Sequence, residues 1–377
     1  RYASRGLGDV YKRQGYLERN FVVKWIEWNP VPFTLKSKES LPSKYSFGLT
    51  QLSLTLLLPM GVLGYLSHDW PVAWQLLPLY LSLFIFGMPH GGADHLLIWG
   101  MIKNSSFGFR IGTLLAYPIL SMIYLAVWNL QPLPSALFFL GLTVFHWGQG
   151  DHYLSVKLHQ AIYLERSGLL KWLHVFSRGS IPILLPGYLG NETYREFAEA
   201  IVRQGGQVQH ELVWISQNPL FFLFVPLGLT ALQLLLSLLR LEKGEGKALR
   251  FDALEAGILF LWFLFVPPLW AIGSYFALWH SLRHGLRILW IDQEGRIQLQ
   301  SSQFLKLKFR WLQLTGLMTL LALVGLWFIL ALPLNFRGIQ LDWLGKAMLG
   351  ISILTLPHTV VVCFMDKLQL NRVKSCC

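Results

Sequence analysis

Residues 253–290 read ALEAGILFLWFLFVPPLWAIGSYFALWHSLRHGLRILW, 38 positions that are apolar for most of their length. At 1.5 Å per residue, one helix over all of them would far exceed the hydrocarbon thickness of a bilayer. Pro267-Pro268 lies in the middle, where the missing N–H and the rigid ring break or kink a helix. Either one long span or two joined at the prolines is possible, and the basic residues decide. With the N-terminus cytoplasmic, the loops 102–110 (Lys103, Arg110), 155–167 (Lys157, Arg166) and 240–250 (Arg240, Lys243, Lys247, Arg250) fall inside. The loops 67–73 and 130–132 hold no Lys or Arg and fall outside. A single span over 253–290 would put the basic loop 291–310 (Arg296, Lys306, Lys308, Arg310) outside; two spans return it to the cytoplasmic face.

Further apolar runs at about 47–66, 74–101, 111–129, 133–154, 168–189, 218–239, 311–332 and 346–366 complete the pattern. The expected fold is therefore an all-α, polytopic transmembrane helical bundle of about ten spans, with both termini cytoplasmic in a bacterial inner membrane. Composition agrees. Only 14% of the 377 residues are charged and 54% are apolar, where a soluble domain is about one quarter charged; mean hydropathy is +0.45. The net charge of +12 sits in short loops, which reads as membrane orientation and not as a nucleic-acid surface. Cys363, Cys376 and Cys377 form neither a disulfide framework nor a zinc spacing, and no full lipidation motif accompanies the tail.

Residues 1–14 begin without Met, carry no apolar signal core, and from Gly6 to Gln14 resemble a translated adapter scar; they are set aside as non-native. Residues 15–46 form a basic cytoplasmic or interfacial segment with Trp25 and Trp28, 47–366 the transmembrane catalytic domain, and 367–377 a cytoplasmic tail. The polar connection 190–217 is expected to hold a short amphipathic helix and a turn.

Ionisable groups at membrane depth are costly and mark functional sites by default. His90, His146, His280, His284 and His358 all fall on spans running from outside to inside, past the middle, in the cytoplasmic half. Nine spans would strand His280 and His284 near the opposite face, so the histidines and the charge rule favour the same topology. His280 and His284, four apart, share a helix face and suit one metal. His90 stands four before Asp94, which is placed to accept from a non-ligating ring nitrogen, and Gly91-Gly92 let another helix approach. His146 is flanked by Phe145 and Trp147, with Asp151 beyond. His90, His146, His280 and His284 form the expected metal set, in a site between helices, and His358, behind Pro357, is a fifth candidate for ligand or pocket. His95 and His152 point to other faces and read as interface or supporting groups. His68, His159, His174 and His210 lie near loops or interfaces and are expected to be solvated. Arg283 and Arg287 share a face that suggests a polar edge at the cytoplasmic rim. Imidazole suits Fe, Zn, Cu or Ni, whereas a structural zinc more often takes thiolates. Phe145, Trp147, Tyr275, Phe276 and Trp279 are candidates to line a slot for an elongated apolar substrate arriving sideways from the bilayer.

Pro-His-Gly-x-x-Asp at 89–94, Phe-His-Trp-Gly at 145–148 and Trp-His-Ser-x-Arg-His at 279–284, in that order, resemble the Brp/Blh family of membrane β-carotene 15,15′-dioxygenases. The resemblance spans roughly 75–366. It implies an Fe(II)-dependent enzyme that uses O2 to split β-carotene into two retinals, feeding a microbial rhodopsin, with His90, His146, His280 and His284 as iron ligands. Two other classes compete. A di-iron membrane hydroxylase or desaturase would need about eight clustered histidines, and only one His-x-x-x-His is present. A transporter or a non-enzymatic carotenoid- or haem-binding protein would show an inverted repeat or a Soret band; no repeat is visible.

Overall fold

The computed structural model describes residues 43–102, 106–189, 218–333, 335–336, 339–340 and 343–374. The expectations for 1–42, for 190–217 with His210, and for Cys376 and Cys377 lie outside the described residues. Within them the protein is all-helical, apart from a two-residue antiparallel ribbon pairing β1 (Asn335–Phe336) with β2 (Ile339–Gln340).

The helices follow the apolar runs. α1 spans Ser43–Leu66. The second run is interrupted: α2 (Val72–Gln75), α3 (Leu77–Ser82), a π turn (Leu83–Gly87), α4 (Met88–Gly92) and α5 (Asp94–Met101). Next come α6 (Phe107–Leu130), capped by the Ser106 hydroxyl accepting from the Phe109 amide at 3.2 Å, and α7 (Pro132–Leu158). A 3₁₀ turn (Ile162–Glu165) leads to α8 (Gly168–Tyr188), followed by α9 (Pro219–Leu239) and α10 (Gly246–Phe265). Val266 and Pro267 are extended, with ψ of 136° and 135°, so the chain does break at the proline pair. Beyond it lie α11 (Pro268–Ser274), a second π turn (Tyr275–Ser281), α12 (Leu282–Ile291) and α13 (Gln293–Gln300). α14 (Phe304–Ala331) and α15 (Trp343–Lys374) end the chain, α15 running past the expected boundary at 366.

Among the described residues, five stretches are long and apolar enough to cross a membrane: 72–100, 107–130, 219–239, 304–331 and 345–367. This is a membrane protein. α7 and 268–291 are not among them; they carry His, Asp and Arg side chains that are buried inside the bundle. α7 is central. Trp147 joins Leu57, Ile181, Leu185, Phe263, Trp270 and Tyr275 in one apolar core, while Phe139 joins Tyr124, Trp128, Leu349 and Ile353 in another. α7 meets α8 backbone to backbone. A Cβ on Gly148 would fall on the Val175 carbonyl, and one on Gly179 on the Val144 carbonyl, the close approach that small residues allow between membrane helices.

Behind α7 runs a buried ionic network, which corrects several expectations. Arg283 is buried; it donates to Glu255 at 2.9 Å and to Ser53 at 3.3 Å, and lies 3.8 Å from Asp151. Arg287 donates to Asp366 and covers the Tyr153 ring at 3.3 Å. The two arginines therefore form no exposed edge, because carboxylates from α7, α10 and α15 surround them. His174 is likewise buried, donating to Asp252 at 2.9 Å, and Arg178 donates to the same carboxylate at 2.6 Å. Gln233 adds a third bond to Asp252 at 3.0 Å. His159 lies 3.6 Å from Glu255 with a largely buried side chain. Burial that looks too polar for solvent-free surroundings is tolerated because each charge meets an opposite one. His68, by contrast, is 77% exposed, as expected.

Two outcomes are expected. Gly148→Leu should lower the melting midpoint of the detergent-solubilised protein or stop its accumulation, since overpacking costs about 1–3 kcal/mol or more; Gly325→Leu, where a Cβ meets nothing within 4 Å, should not. Glu255→Ala removes the main partner of Arg283 and should cost about 3–5 kcal/mol, whereas Glu294→Ala, which removes a 56% exposed carboxylate while Arg310 keeps both bonds to Asp292, should cost no more than about 1 kcal/mol. Equal midpoints for Glu255→Ala and Glu294→Ala would refute the weight given to the network.

Candidate metal centre

His90 is delivered by a stretch in which the helix changes pitch twice. Pro89 has no N–H for the preceding turn, and Leu83–Gly87 winds as a π turn immediately before it. Ala93, with φ −91° and ψ −1°, then ends α4, so Asp94 opens a new helix. The i to i+4 relation between His90 and Asp94 is lost at this break. His90 Nδ1 instead faces the Phe86 carbonyl at 3.2 Å, while Asp94 pairs with His358 Nδ1 at 2.8 Å. Gly92 lies against the backbone of Thr315 in α14, the close helix approach that the glycine pair suggested.

His280 sits in the second π turn and His284 just beyond it on α12. The two π turns pack on each other: a Cβ on Gly87 would lie 2.6 Å from the Phe276 ring, and one on Gly273 would strike the Leu79 backbone. The other face of this helix is fixed to α7. Trp279 Nε1 donates to Asp151 at 3.0 and 3.2 Å, and the Arg283 guanidinium lies 3.5 Å over the Trp279 ring. Asp151 and Trp279 therefore stand behind His280 and not among the clustered imidazoles.

Five imidazoles converge. The ring centroids of His90 lie 5.5 Å from His280, 5.3 Å from His284, 4.7 Å from His358 and 6.5 Å from His146. His146 is 4.9 Å from His280 and 4.8 Å from His358, and His284 is 5.5 Å from His358. In all five, Nε2 is buried with no hydrogen-bond partner among the described residues, as is Nδ1 of His146. Buried polar atoms are rarely left so.

This donor set fits a metal ion. With a metal–nitrogen bond of about 2.1 Å, a ligating ring has its centroid about 3.2 Å from the metal. Two rings then stand about 4.5 Å apart at right angles, about 5.2 Å at a tetrahedral angle and about 6.4 Å when opposite. The observed separations cover that range, and the widest belongs to the nearly parallel pair His90 and His146, 14° between planes. Ligand atoms of His90, His146 and His358 lie within 4.8 Å of one another.

A cavity of about 910 Å³ adjoins the cluster, bordered by His90, His146, His280 and His358. Trp147 and Phe276 wall it beside His280, at ring separations of 5.7 and 6.1 Å, and the remaining surface is almost wholly aliphatic or aromatic. Met122, 70% exposed, and Leu321, 56% exposed, line it too, so the cavity reaches the outer flank of the bundle between α6 and α14. Three candidates lie elsewhere. Phe145 turns to Trp172 at 5.9 Å, on the opposite side of α7, because the neighbouring His146 takes the inward face. Tyr275 and Trp279 back the wall without reaching it, and Tyr275 packs on Trp147 at 5.1 Å. His95 faces Trp99 at 5.1 Å, and His152 donates to Glu165 at 2.8 Å, both away from the cluster. Tyr117, which donates to Asp94 at 3.4 Å, was not singled out from the sequence; a tyrosine in an apolar span carries no signal of its own.

The family model for β-carotene 15,15′-dioxygenase matches residues 81–366. The probable β-carotene 15,15′-dioxygenase Blh of Halobacterium salinarum is 32% identical over 298 residues, 78% of this chain and 84% of its own. The β-carotene 15,15′-dioxygenase of uncultured marine bacterium 66A03 is 26% identical over 316 residues, 83% and 99% of the two chains. The probable dioxygenase Brp of H. salinarum is 23% identical over 341 residues, 85% and 91%. No solved structure matches. With the family match extending over the whole histidine cluster from His90 to His358, the chain belongs to the β-carotene 15,15′-dioxygenase family.

Proposed function

We propose that this protein cleaves β-carotene at its central 15,15′ double bond with O2, giving two molecules of all-trans-retinal, and that Fe(II) held by His90, His146, His280 and His284 is its cofactor. The observation that carries this is the meeting of unpartnered, buried imidazole nitrogens on the wall of an apolar cavity. The reaction balances without help: the 15,15′ double bond breaks, and each of its carbons takes one atom of O2. No general acid or base is needed; apart from the histidine cluster, Asp94, Tyr117 and His95, the cavity wall is built of aliphatic, aromatic and hydroxyl side chains. A bound iron would supply the activation of O2.

The chain's own task is to bind and orient. Trp147 and Phe276 flank His280, where flat rings suit a conjugated polyene, and the aliphatic lining excludes water. The flank at Met122 and Leu321 gives a lipid-dissolved hydrocarbon a sideways path. In this reading the bundle crosses a bacterial inner membrane ten times with both termini cytoplasmic, and the retinal released serves a microbial rhodopsin.

Expression in β-carotene-producing bacteria should bleach the colonies, with retinal recovered by chromatography. Orange colonies, with the protein present in the membrane and iron supplied, would reject the activity; apocarotenals of unequal length would reject the central cut. His280→Ala and His284→Ala should each abolish iron binding and cleavage together, and full activity in either would sink the ligand set. Gly141, on the cavity wall with no atom within 4 Å of a built Cβ, offers a test of the binding space. Gly141→Trp should accumulate normally yet lower kcat/KM for β-carotene by roughly tenfold or more; an unchanged value would place the polyene elsewhere.

A further inference from the structure

We propose that His358 is a fifth ligand of the same metal and that Asp94, steadied by Tyr117, is the residue that positions it. This rests on the metal reading of the cluster and extends it to the last helix of the chain.

Three observations carry the assignment. The first is spacing. The two shortest ring separations in the cluster both involve His358, 4.7 Å to His90 and 4.8 Å to His146. They are shorter than the separations of His280 from the same two residues, 5.5 and 4.9 Å, and of His284 from His90, 5.3 Å. Any ion close enough for His90 and His146 to share is as close to His358. The second is tautomer. His358 Nδ1 is 2.8 Å from Asp94 Oδ2, so it carries the proton and donates to the carboxylate, leaving the lone pair on Nε2. That Nε2 is buried without a hydrogen-bond partner among the described residues. The third is the support behind it. Tyr117 donates to the same Asp94 oxygen at 3.4 Å, and Gly91 leaves room for the ring, with a built Cβ 3.4 Å from His358 Nδ1. A carboxylate accepting from the far nitrogen of a ligating histidine fixes ring orientation and raises its basicity. His90, whose Nδ1 faces a backbone carbonyl, has a weaker form of the same support.

The consequence is chemical as well as geometric. Held by five neutral imidazoles, the ion would keep its positive charge and would have fewer positions for exogenous molecules than with four. The five rings also make the metal a cross-link among four separate stretches: α4, α7, the π turn with α12, and α15. Asp94 is a positioning residue here, acting only through His358.

The test uses the full-length protein, purified in detergent, stripped of metal and titrated with Co(II) as a spectroscopic probe and then with Fe(II). Wild type should bind one ion per chain. His358→Ala should change the Co(II) visible absorption to that of a lower coordination number and weaken binding at least tenfold, and added imidazole should restore the wild-type spectrum. Asp94→Asn should weaken binding by about 10–100-fold and shift the same bands, with Asp94→Glu recovering part of the loss; Tyr117→Phe should give a smaller change in the same direction. If His358→Ala does not accumulate, His358→Gln, which keeps the volume, carries the comparison. An unchanged Co(II) spectrum and affinity in His358→Ala or His358→Gln would overturn the fifth ligand while His280→Ala still abolishes binding. Unchanged binding in His280→Ala as well would refute the metal centre itself, so the two failures are distinguishable.

Discussion

Everything in this bundle is arranged around the cost of keeping imidazole nitrogens apart from water and from one another's hydrogens. In an apolar interior each unpaired ring nitrogen is a loss, and five of them face one another here. The nearest carboxylate, Asp94, is already engaged by His358 and Tyr117, and most of the surrounding wall is apolar. The metal ion proposed above would resolve the conflict. The fold then has to hold the rings at fixed separations, and the remaining structure can be understood as the means by which it does so.

Those means are ionic and aromatic as much as apolar. The helix bearing His280 and His284 could slide or turn in a purely aliphatic setting. Trp279 bonded to Asp151, and Arg283 held between that indole and Glu255, prevent it. Arg287 and Asp366 bind the same helix to α15, the helix that carries His358. Charges that would be ruinous alone are tolerable as matched sets, and their directional bonds give the bundle a register that side-chain packing in lipid supplies poorly.

Much of this was legible in the residues. Pro267-Pro268 marks a real break, the apolar runs are helices, and the five histidines picked out within them do meet. The charge rule and the positions of five histidines carried that far without any view of contacts. What was not legible depended on pitch. Asp94 sits four after His90, yet a break at Ala93 and close passage of α15 hand it to His358. His174 looks like an ordinary polar residue near a span end, and only the approach of Asp252 from α10 explains its burial. Asp252, Glu255 and Arg178 were in principle detectable, as charges within or beside apolar runs, while Tyr117 gave no sign because its role lies wholly in its neighbour.

The paired π turns carry a further meaning for how such a protein can change. A π turn holds one residue more than the α-helical turn it interrupts, and one residue in an α-helix corresponds to a rotation of about 100°. His90 follows the first of these turns and His280 lies inside the second. Loss of a single codon in either would wind the helix back to regular pitch and remove the local widening from which its imidazole is presented, without changing any ligand residue. Along these two stretches, the length of the gene between fixed points matters as much as its spelling.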